Sequence, residues 1–267
     1  MRLSHSILLA ALLIPCLAAS AAPAARAADD GLAAARADFR SAVSNASAPE
    51  IRKARDAFAL LQAGEPGSAE RAYWLALADW RLVPMLPDSE KTSARQLVKE
   101  GIAACDRALA ARPRFADAVA LRAALQGLAF QFMSPQAGMA LGAEMEEGFG
   151  RASGMEPGNP RVLLLKGVNA LHKPKEVGGG PDKAKPIFEA AIAAFAKESP
   201  GDAAAIDWGR DDALLWSGIC ASRLGDWTAA KARFQEVLAV NPAHAWTKHV
   251  LLPEAEKQLA AKAGSAK

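Results

Sequence analysis

The chain has 267 residues, of which 51% are hydrophobic and 23% are charged. Its formal net charge is +3, but residues 1–27 contain two arginines and no acid, so the remainder has 30 basic and 29 acidic residues. A nearly neutral chain has no electrostatic attraction for nucleic acid or for an anionic membrane surface, so neither is predicted as a partner.

The N-terminal segment predicts export. Arg2 precedes a short apolar run from Ile7 to Leu17, and Ala25-Arg26-Ala27 is a small-residue cleavage motif. Such a run is typical of a secretory signal and is too short to span a bilayer. We therefore expect a signal peptide over residues 1–27, cleavage near Ala27, and a mature protein that is periplasmic or secreted. No later stretch predicts a membrane span.

A lipid anchor is the alternative at this end of the chain. Leu13-Ile14-Pro15-Cys16 resembles a bacterial lipid-attachment box, in which the cysteine becomes the lipidated first residue. A proline directly before the cysteine departs from that pattern, because this position normally holds a small flexible residue. Cleavage near Ala27 is therefore favoured over lipidation of Cys16.

The remaining chain is predicted to be helical throughout. Apolar side chains recur at helical spacing over residues 29–45 and 50–63, which predicts two helices. Further units of helix, connector and helix are predicted at about residues 68–113, 115–157, 159–200 and 211–242, followed by a capping helix at 253–262. No stretch alternates as a strand does. The predicted fold class is all-α, with one repeat domain over residues 28–267.

A recurring pair of residues marks these units. A proline follows an aromatic residue eight positions later at Phe58 and Pro66, Phe149 and Pro157, and Phe234 and Pro242. The successive prolines Pro66, Pro113, Pro157, Pro200 and Pro242 are 47, 44, 43 and 42 residues apart. Self-similarity at this period indicates a stack of helical repeats, in which each unit contacts only its neighbours.

Residues 214–242 resemble one unit of the tetratricopeptide repeat (TPR) family. The resemblance rests on Gly218, the turn Gly225-Asp226-Trp227, Ala230, Phe234 and Pro242. Earlier units match less closely and contain insertions between their two helices. The resemblance implies a right-handed α–α superhelix of helical hairpins. A two-helix array of the HEAT type suits the period better, but it suits the Gly-Asp-Trp turn less well.

The two cysteines that follow the signal segment are predicted to be free and buried. Cys105 and Cys220 lie in different units, with Pro113, Pro157 and Pro200 between them. A disulfide needs Cα atoms within about 7 Å of each other, which a linear stack of repeats does not allow at this separation.

Several residue groups that could form a binding or catalytic site are better explained by structural roles. Gly178–Gly180 precedes a helix but lacks the Gly-Lys-Ser/Thr signature of a nucleotide loop. Glu144 and Glu147 lack a second cluster of ligands, and His244 and His249 lack the one-turn spacing of a helical zinc pair. No serine or cysteine has the surroundings of a nucleophile, so we predict no enzyme, no catalytic residue, no cofactor and no metal.

The acids around Trp208 have a similar interpretation. Asp202, Asp207, Asp211 and Asp212 lack the spacing of a calcium loop, so capping and turn roles are predicted. Trp80 and Trp208 have no clear place in a repeat, and packing is favoured over a role in a groove.

In the TPR family the first helices of successive units line a concave groove. Carried over by position, the groove residues here would be Asp79, Asp117, Arg161, His172, Asp212 and Arg223. Their mixed charges favour an extended peptide or a segment of another envelope protein as the partner. The alternative is a module for a small molecule or an ion, with the glycine-rich connector at Lys173–Gly180 as its lid.

Overall fold

The computed structural model describes residues 21–198 and 206–265, and it contains no strand in these residues. The helices are α1 (Ala21–Ser44), α2 (Ala48–Gly64), α3 (Ala69–Leu82), α4 (Lys91–Ala111), α5 (Ala116–Ala129), α6 (Pro135–Met155), α7 (Pro160–His172), α8 (Pro181–Phe195), α9 (Arg210–Arg223), α10 (Trp227–Val240) and α11 (Leu252–Ser265). A π-helical turn at Thr247–Leu251 leads into α11. The all-α prediction is confirmed.

The predicted signal lies mostly outside the described residues, as does Cys16. Helix α1 begins at Ala21 and so includes the predicted cleavage position near Ala27. Export and cleavage stay predictions. In the described part of the chain, no helix is both long enough and apolar enough to cross a membrane.

Local sequence signals explain where the helices begin and end. A side-chain oxygen caps the N-terminus of five helices, at Ser47, Ser68, Ser134, Asn159 and Asp226. A proline stands two residues after the end of α2, α4, α6 and α10, at Pro66, Pro113, Pro157 and Pro242. Proline has no N–H and cannot continue a helix, so it ends each unit at the same place. Pro200 lies outside the described residues.

The helices pack in chain order as a stack of hairpins. Each helix contacts the next, and α1, α3, α5, α7 and α9 also contact one another in succession. These five helices therefore share one side of the stack, which we call the inner side. One hydrophobic core runs from α1 to α9, and a smaller one joins α9, α10 and α11. The fold is a helical solenoid.

Aromatic side chains and small residues hold each hairpin together. Phe58, Phe149, Phe188 and Phe234 are 0–1% exposed. A Cβ atom added to Gly167 would lie 2.6 Å from Cε1 of Phe188, and one added to Gly218 would lie 2.5 Å from Cε1 of Phe234. The aromatic ring of the second helix thus lies directly on the backbone of the first helix. This contact explains why the repeat needs glycine and phenylalanine at these positions.

Cys105 and Cys220 are free and buried, as predicted. Burial raises the pKa of both thiols. The thiolate is the reactive form of cysteine, so both side chains are held in their unreactive state.

Replacement of Gly167 by alanine tests the hairpin contact. The added methyl group must displace the ring of Phe188, so we expect Gly167→Ala to lower the free energy of unfolding by about 1–3 kcal/mol. Gly150→Ala is the matched control, because Gly150 is an exposed helical glycine whose Cβ would meet nothing within 4 Å. That change should leave stability unchanged or raise it by up to about 1 kcal/mol. Denaturant unfolding measures the free energy of unfolding of both variants. Equal changes in Gly167→Ala and Gly150→Ala would contradict the contact between Gly167 and Phe188.

Candidate binding surface

Residues 206–209 lie on the inner side of the stack, and we call them the docked segment. They have no helical structure, and they connect to the start of α9. Asp207 contacts Arg36 of α1, while the carbonyl oxygen of Ile206 accepts a hydrogen bond from Arg161 of α7. Helices α1 and α7 belong to units that are three apart. They reach adjacent residues of one segment only because the stack curves around it.

Trp208 is the centre of these contacts. Its indole is 8% exposed, and Nε1 donates a hydrogen bond of 2.8 Å to Oη of Tyr73. The ring centroid lies 6.2 Å from that of Trp80. The guanidinium carbon of Arg81 lies 4.9 Å from the Trp80 centroid and 5.3 Å from that of Trp208. The indole is thus held by a hydrogen bond, an aromatic contact and a cation–π contact.

Charged groups hold the residues beside Trp208. The carboxylate of Asp207 pairs with Arg36 at 2.7 Å and also with Arg40. Arg161 pairs with Glu198 at 2.6 Å in addition to its bond to Ile206. The docked segment is therefore fixed through a side-chain carboxylate, an indole and a backbone carbonyl at once.

A second contact closes the stack near the docked segment. The side-chain amide of Asn241, just after α10, donates hydrogen bonds to Oγ of Ser44 at 3.0 Å and to Oδ2 of Asp211 at 2.8 Å. Ser44 ends α1, so the fifth hairpin touches the first. This contact joins residues 197 positions apart in the sequence.

Four of the six predicted groove residues are buried and paired with other residues of the chain. Asp79 accepts a hydrogen bond of 2.9 Å from Nε of Arg55, and Asp117 accepts one of 2.9 Å from Asn159. Arg161 and Asp212 lie in the interior near the docked segment, where Arg161 contacts Glu198 and Ile206, and Asp212 pairs with Arg81. All four buried residues therefore stabilise contacts within the stack or with its docked segment.

Burial changes the acidity of three of these side chains. It raises the pKa of Asp79 to about 7, although Arg55 and, more distantly, Arg107 favour the charged form. The pKa values of Asp117 and Asp212 are also raised, again by burial against the opposing effect of their arginine partners. A buried carboxylate is costly to ionise even when it is paired.

The other two predicted groove residues, His172 and Arg223, lie together at the surface. Nη2 of Arg223 is 3.3 Å from Nε2 of His172, and Nη1 donates to the carbonyl of Leu171 at 3.1 Å. The imidazole meets the ring of Trp216 edge-on, with centroids 5.4 Å apart. We call His172, Trp216 and Arg223 the open surface. It lies at the C-terminal end of α7 and on the middle and C-terminal end of α9, whereas the docked segment contacts α7 and joins α9 at their N-terminal ends.

The hydrogen bonds of His172 define its neutral form. Nδ1 lies 2.9 Å from the carbonyl oxygen of Val168, which only accepts, so this nitrogen carries the proton. Nε2 then presents a lone pair toward Arg223. Partial desolvation by neighbouring side chains and the nearby charge of Arg223 lower the pKa of His172. The open surface therefore offers one cation, one neutral imidazole and one half-buried indole.

The glycine-rich connector is a compact turn. The N–H groups of Gly178, Gly179 and Gly180 donate to the carbonyls of Lys175, Pro174 and Ala170, at 2.8–3.0 Å. Gly178 and Gly180 adopt positive φ values of 86° and 99°, which favour glycine. These amides are used within the turn itself. The lid role stays a prediction.

Among the described residues, no group of three or more His, Cys, Asp or Glu side chains could hold a metal ion. Glu144 pairs with Arg122 at 2.8 Å, as a charged surface residue does. Asp211 and Asp212 lie in the first turn of α9, and Asp211 accepts a hydrogen bond of 3.1 Å from the N–H of Asp212, in keeping with the predicted local roles. Asp207, Asp211 and Asp212 also form long-range contacts, which were not predicted. Asp202 lies outside the described residues.

Sequence reasoning did not assign Arg36, Tyr73 or Arg81 to this surface. Trp80 and Trp208 were the available signal, since neither fitted a repeat position. Their contact joins residues 128 positions apart, and periodicity within a helix carries no information about such a pair.

No protein-family model matches this sequence, and the comparison with curated proteins found no significant match. Among solved structures, the HusA haemophore from Porphyromonas gingivalis is similar over 74% of this chain and 92% of its own, at 21% identity and a TM-score of 0.59. A thermophilic TPR protein from Thermus thermophilus is similar over 85% of this chain and 99% of its own, at 14% identity and a TM-score of 0.57. At these identities the likeness concerns the fold, which is that of a TPR-like helical repeat protein.

The raised pKa of Asp79 predicts a specific pH dependence. Its folded-state pKa, about 7, lies above the ordinary value of 3.8, so its contribution to stability is greatest below pH 4 and is lost as the pH rises to 7. We expect Asp79→Asn to gain stability relative to wild type by on the order of 1–3 kcal/mol between pH 4 and pH 7.

Asp56→Asn is the matched control for this experiment. Asp56 also contacts Arg55, but its side chain is 64% exposed. The difference in free energy of unfolding between Asp56→Asn and wild type should change little over the same pH range. Denaturant unfolding at several pH values measures both variants, and parallel curves for wild type and Asp79→Asn would show that Asp79 titrates normally.

Proposed function

We propose that the protein is an exported, non-enzymatic scaffold that binds a segment of another protein in the cell envelope. The TPR-like fold supports a binding role, because stacked hairpins present an extended surface rather than a single enclosed site. The N-terminal sequence supports export. The proposed partner is a protein segment with apolar and acidic side chains.

The observation that carries the proposal is the docked segment itself. A short stretch without helical structure lies on the inner side and is held through an indole, a carboxylate and a backbone carbonyl. These are the interactions by which a groove recognises an extended peptide. The inner side of this stack is therefore suited to an extended peptide, and part of it already holds residues 206–209 of the same chain.

The open surface is the part of the inner side proposed for the partner. His172 and Arg223 are exposed, and the half-buried indole of Trp216 meets the imidazole of His172 edge-on. Tryptophan and arginine contribute disproportionately to binding energy at protein interfaces. A cation beside an apolar patch favours a partner segment in which an acidic residue neighbours apolar ones.

Substitutions at the open surface test this proposal. The mature chain would be used as bait in envelope extracts, and any captured protein would be purified and titrated directly. We expect Arg223→Glu and Trp216→Ala each to weaken the purified interaction by about tenfold or more. Arg95→Glu is the control, because Arg95 is an exposed arginine on α4, outside the inner side. Equal binding by all variants would remove the open surface from the proposal.

Haem binding is a second candidate. Its support is the likeness to a protein described as a haemophore, together with an imidazole beside an indole ring on the open surface. A cleft of about 280 Å³ between α8, α9 and α10 is lined mainly by apolar side chains, including Phe195, Leu214 and Val240. It is smaller than most ligand pockets, so a flat macrocycle would lie on the open surface instead.

Titration with haemin, followed by absorbance, tests this candidate. If His172 provides a ligand to the iron, binding should shift the absorption band of haemin, and His172→Ala should weaken binding about tenfold. His249→Ala is the control, since His249 is exposed on the π-helical turn. An unchanged spectrum with wild-type protein would exclude haem as the ligand.

A further inference from the structure

We propose that the pocket around Trp208 is a recognition site for an acidic–aromatic segment, occupied in this structure by the chain's own Asp207-Trp208. A partner that carries the same pair of residues would replace the docked segment. This inference rests on the proposed function and deepens it, because it names the chemistry of one class of partner.

The pocket contacts the indole in a manner specific to tryptophan. Oη of Tyr73 accepts the hydrogen bond from Nε1 of Trp208, while Trp80 and Arg81 contact the ring. Tyr73 is fully buried, and its only described side-chain hydrogen bond is the one from Trp208. Phenylalanine would leave this hydroxyl without its donor, and leaving a buried polar group unpaired is costly. The pocket therefore selects an indole among apolar side chains.

The neighbouring residues select a carboxylate. Arg36 and Arg40, one turn apart on α1, both contact the carboxylate of Asp207. The side chains of Asp207 and Arg40 are 44% and 47% exposed, while that of Arg36 is 8% exposed. Solvent thus reaches one edge of this contact. An incoming carboxylate can approach the arginines from that edge.

The backbone of the docked segment is adapted to the pocket. Gly209 adopts a φ of 104°, and a Cβ atom there would lie 2.9 Å from Cζ of Phe195 and 3.2 Å from Cδ2 of Leu164. At the start of the docked segment, the carbonyl oxygen of Ile206 accepts a hydrogen bond from Arg161. A competing segment therefore needs a glycine after the tryptophan, which gives the motif Asp-Trp-Gly.

Covalent connection explains why an added peptide would bind wild-type protein weakly. A tethered segment is present at an effective concentration in the millimolar range, so a free peptide at lower concentration cannot compete. A variant that lacks both of its own anchors, the carboxylate of Asp207 and the indole of Trp208, exposes the site. The proposal is therefore tested on such a variant.

The experiment uses the mature protein with Asp207→Ala and Trp208→Ala together, and the synthetic peptide Ile-Asp-Trp-Gly-Arg. We expect the variant to bind the peptide and its melting temperature to rise by several degrees at 1 mM peptide, because a ligand of the folded state stabilises it. Wild-type protein should show no such rise. Peptides with alanine in place of tryptophan or of aspartate should bind about tenfold more weakly. Calorimetric titration gives the affinities.

A second substitution tests the carboxylate contact. Added to the double variant, Arg40→Ala should lower affinity for the intact peptide several-fold while affecting the aspartate-free peptide little. Arg52→Ala, at an arginine of α2 whose side chain is 42% exposed and pairs with Glu90, should leave both affinities unchanged. If the double variant does not fold alone, peptide-induced recovery of its helical circular dichroism supports the site.

Several results would overturn the inference. They are a folded variant that ignores the peptide, equal affinity for all peptides, or an unfolded variant that the peptide does not rescue. Formation of wild-type dimers that Trp208→Ala abolishes would instead show exchange of the docked segment between copies. None of these results bears on Arg223 or Trp216, so a partner bound at the open surface would still be detected by the capture experiment.

Discussion

The contact between Trp208 and the inner side determines how the stack of hairpins is closed. A linear repeat array leaves the faces of its first helices exposed, because each unit contacts only its neighbours. Here the indole contacts Tyr73, Trp80 and Arg81 of α3, so one side chain joins the second unit to the segment that leads into α9. Helix α3 also packs against α1, α2, α4 and α5, and every residue from Arg71 to Trp80 is buried. Part of the inner side is therefore buried inside the protein.

This closure divides the inner side into two regions with different chemistry. Near the docked segment, Asp117, Arg161 and Asp212 are buried and paired, and the carboxyl groups of Asp117 and Asp212 have raised pKa values. At the opposite ends of α7 and α9, His172 and Arg223 remain exposed. Buried ion pairs mainly specify one arrangement of the chain, whereas exposed charges beside apolar groups are available to a partner. The two regions therefore have separate roles.

The resemblance to a TPR and the likeness to solved structures agree on the fold. The strongest sequence match, at Gly218 and Phe234, coincides with a close approach between helices, where a Cβ atom on Gly218 would lie 2.5 Å from the Phe234 ring. The same contact recurs at Gly167 and Phe188, where the connector is longer. The hairpin contact is thus retained through changes in connector length, because it depends on a glycine and a ring rather than on the turn between the helices.

Helix boundaries and hairpin pairing could be predicted from sequence alone, because caps such as Asn159, prolines and apolar periodicity act within a few residues of one another. The candidate site could be predicted only in part. The repeat pattern placed Arg161 and Arg223 on the same side of the stack, yet one is 4% exposed and the other is at the surface. That difference depends on where residues 206–209 lie. Only the tertiary structure decides it, because helical spacing indicates which face a residue occupies but not which distant segment covers that face.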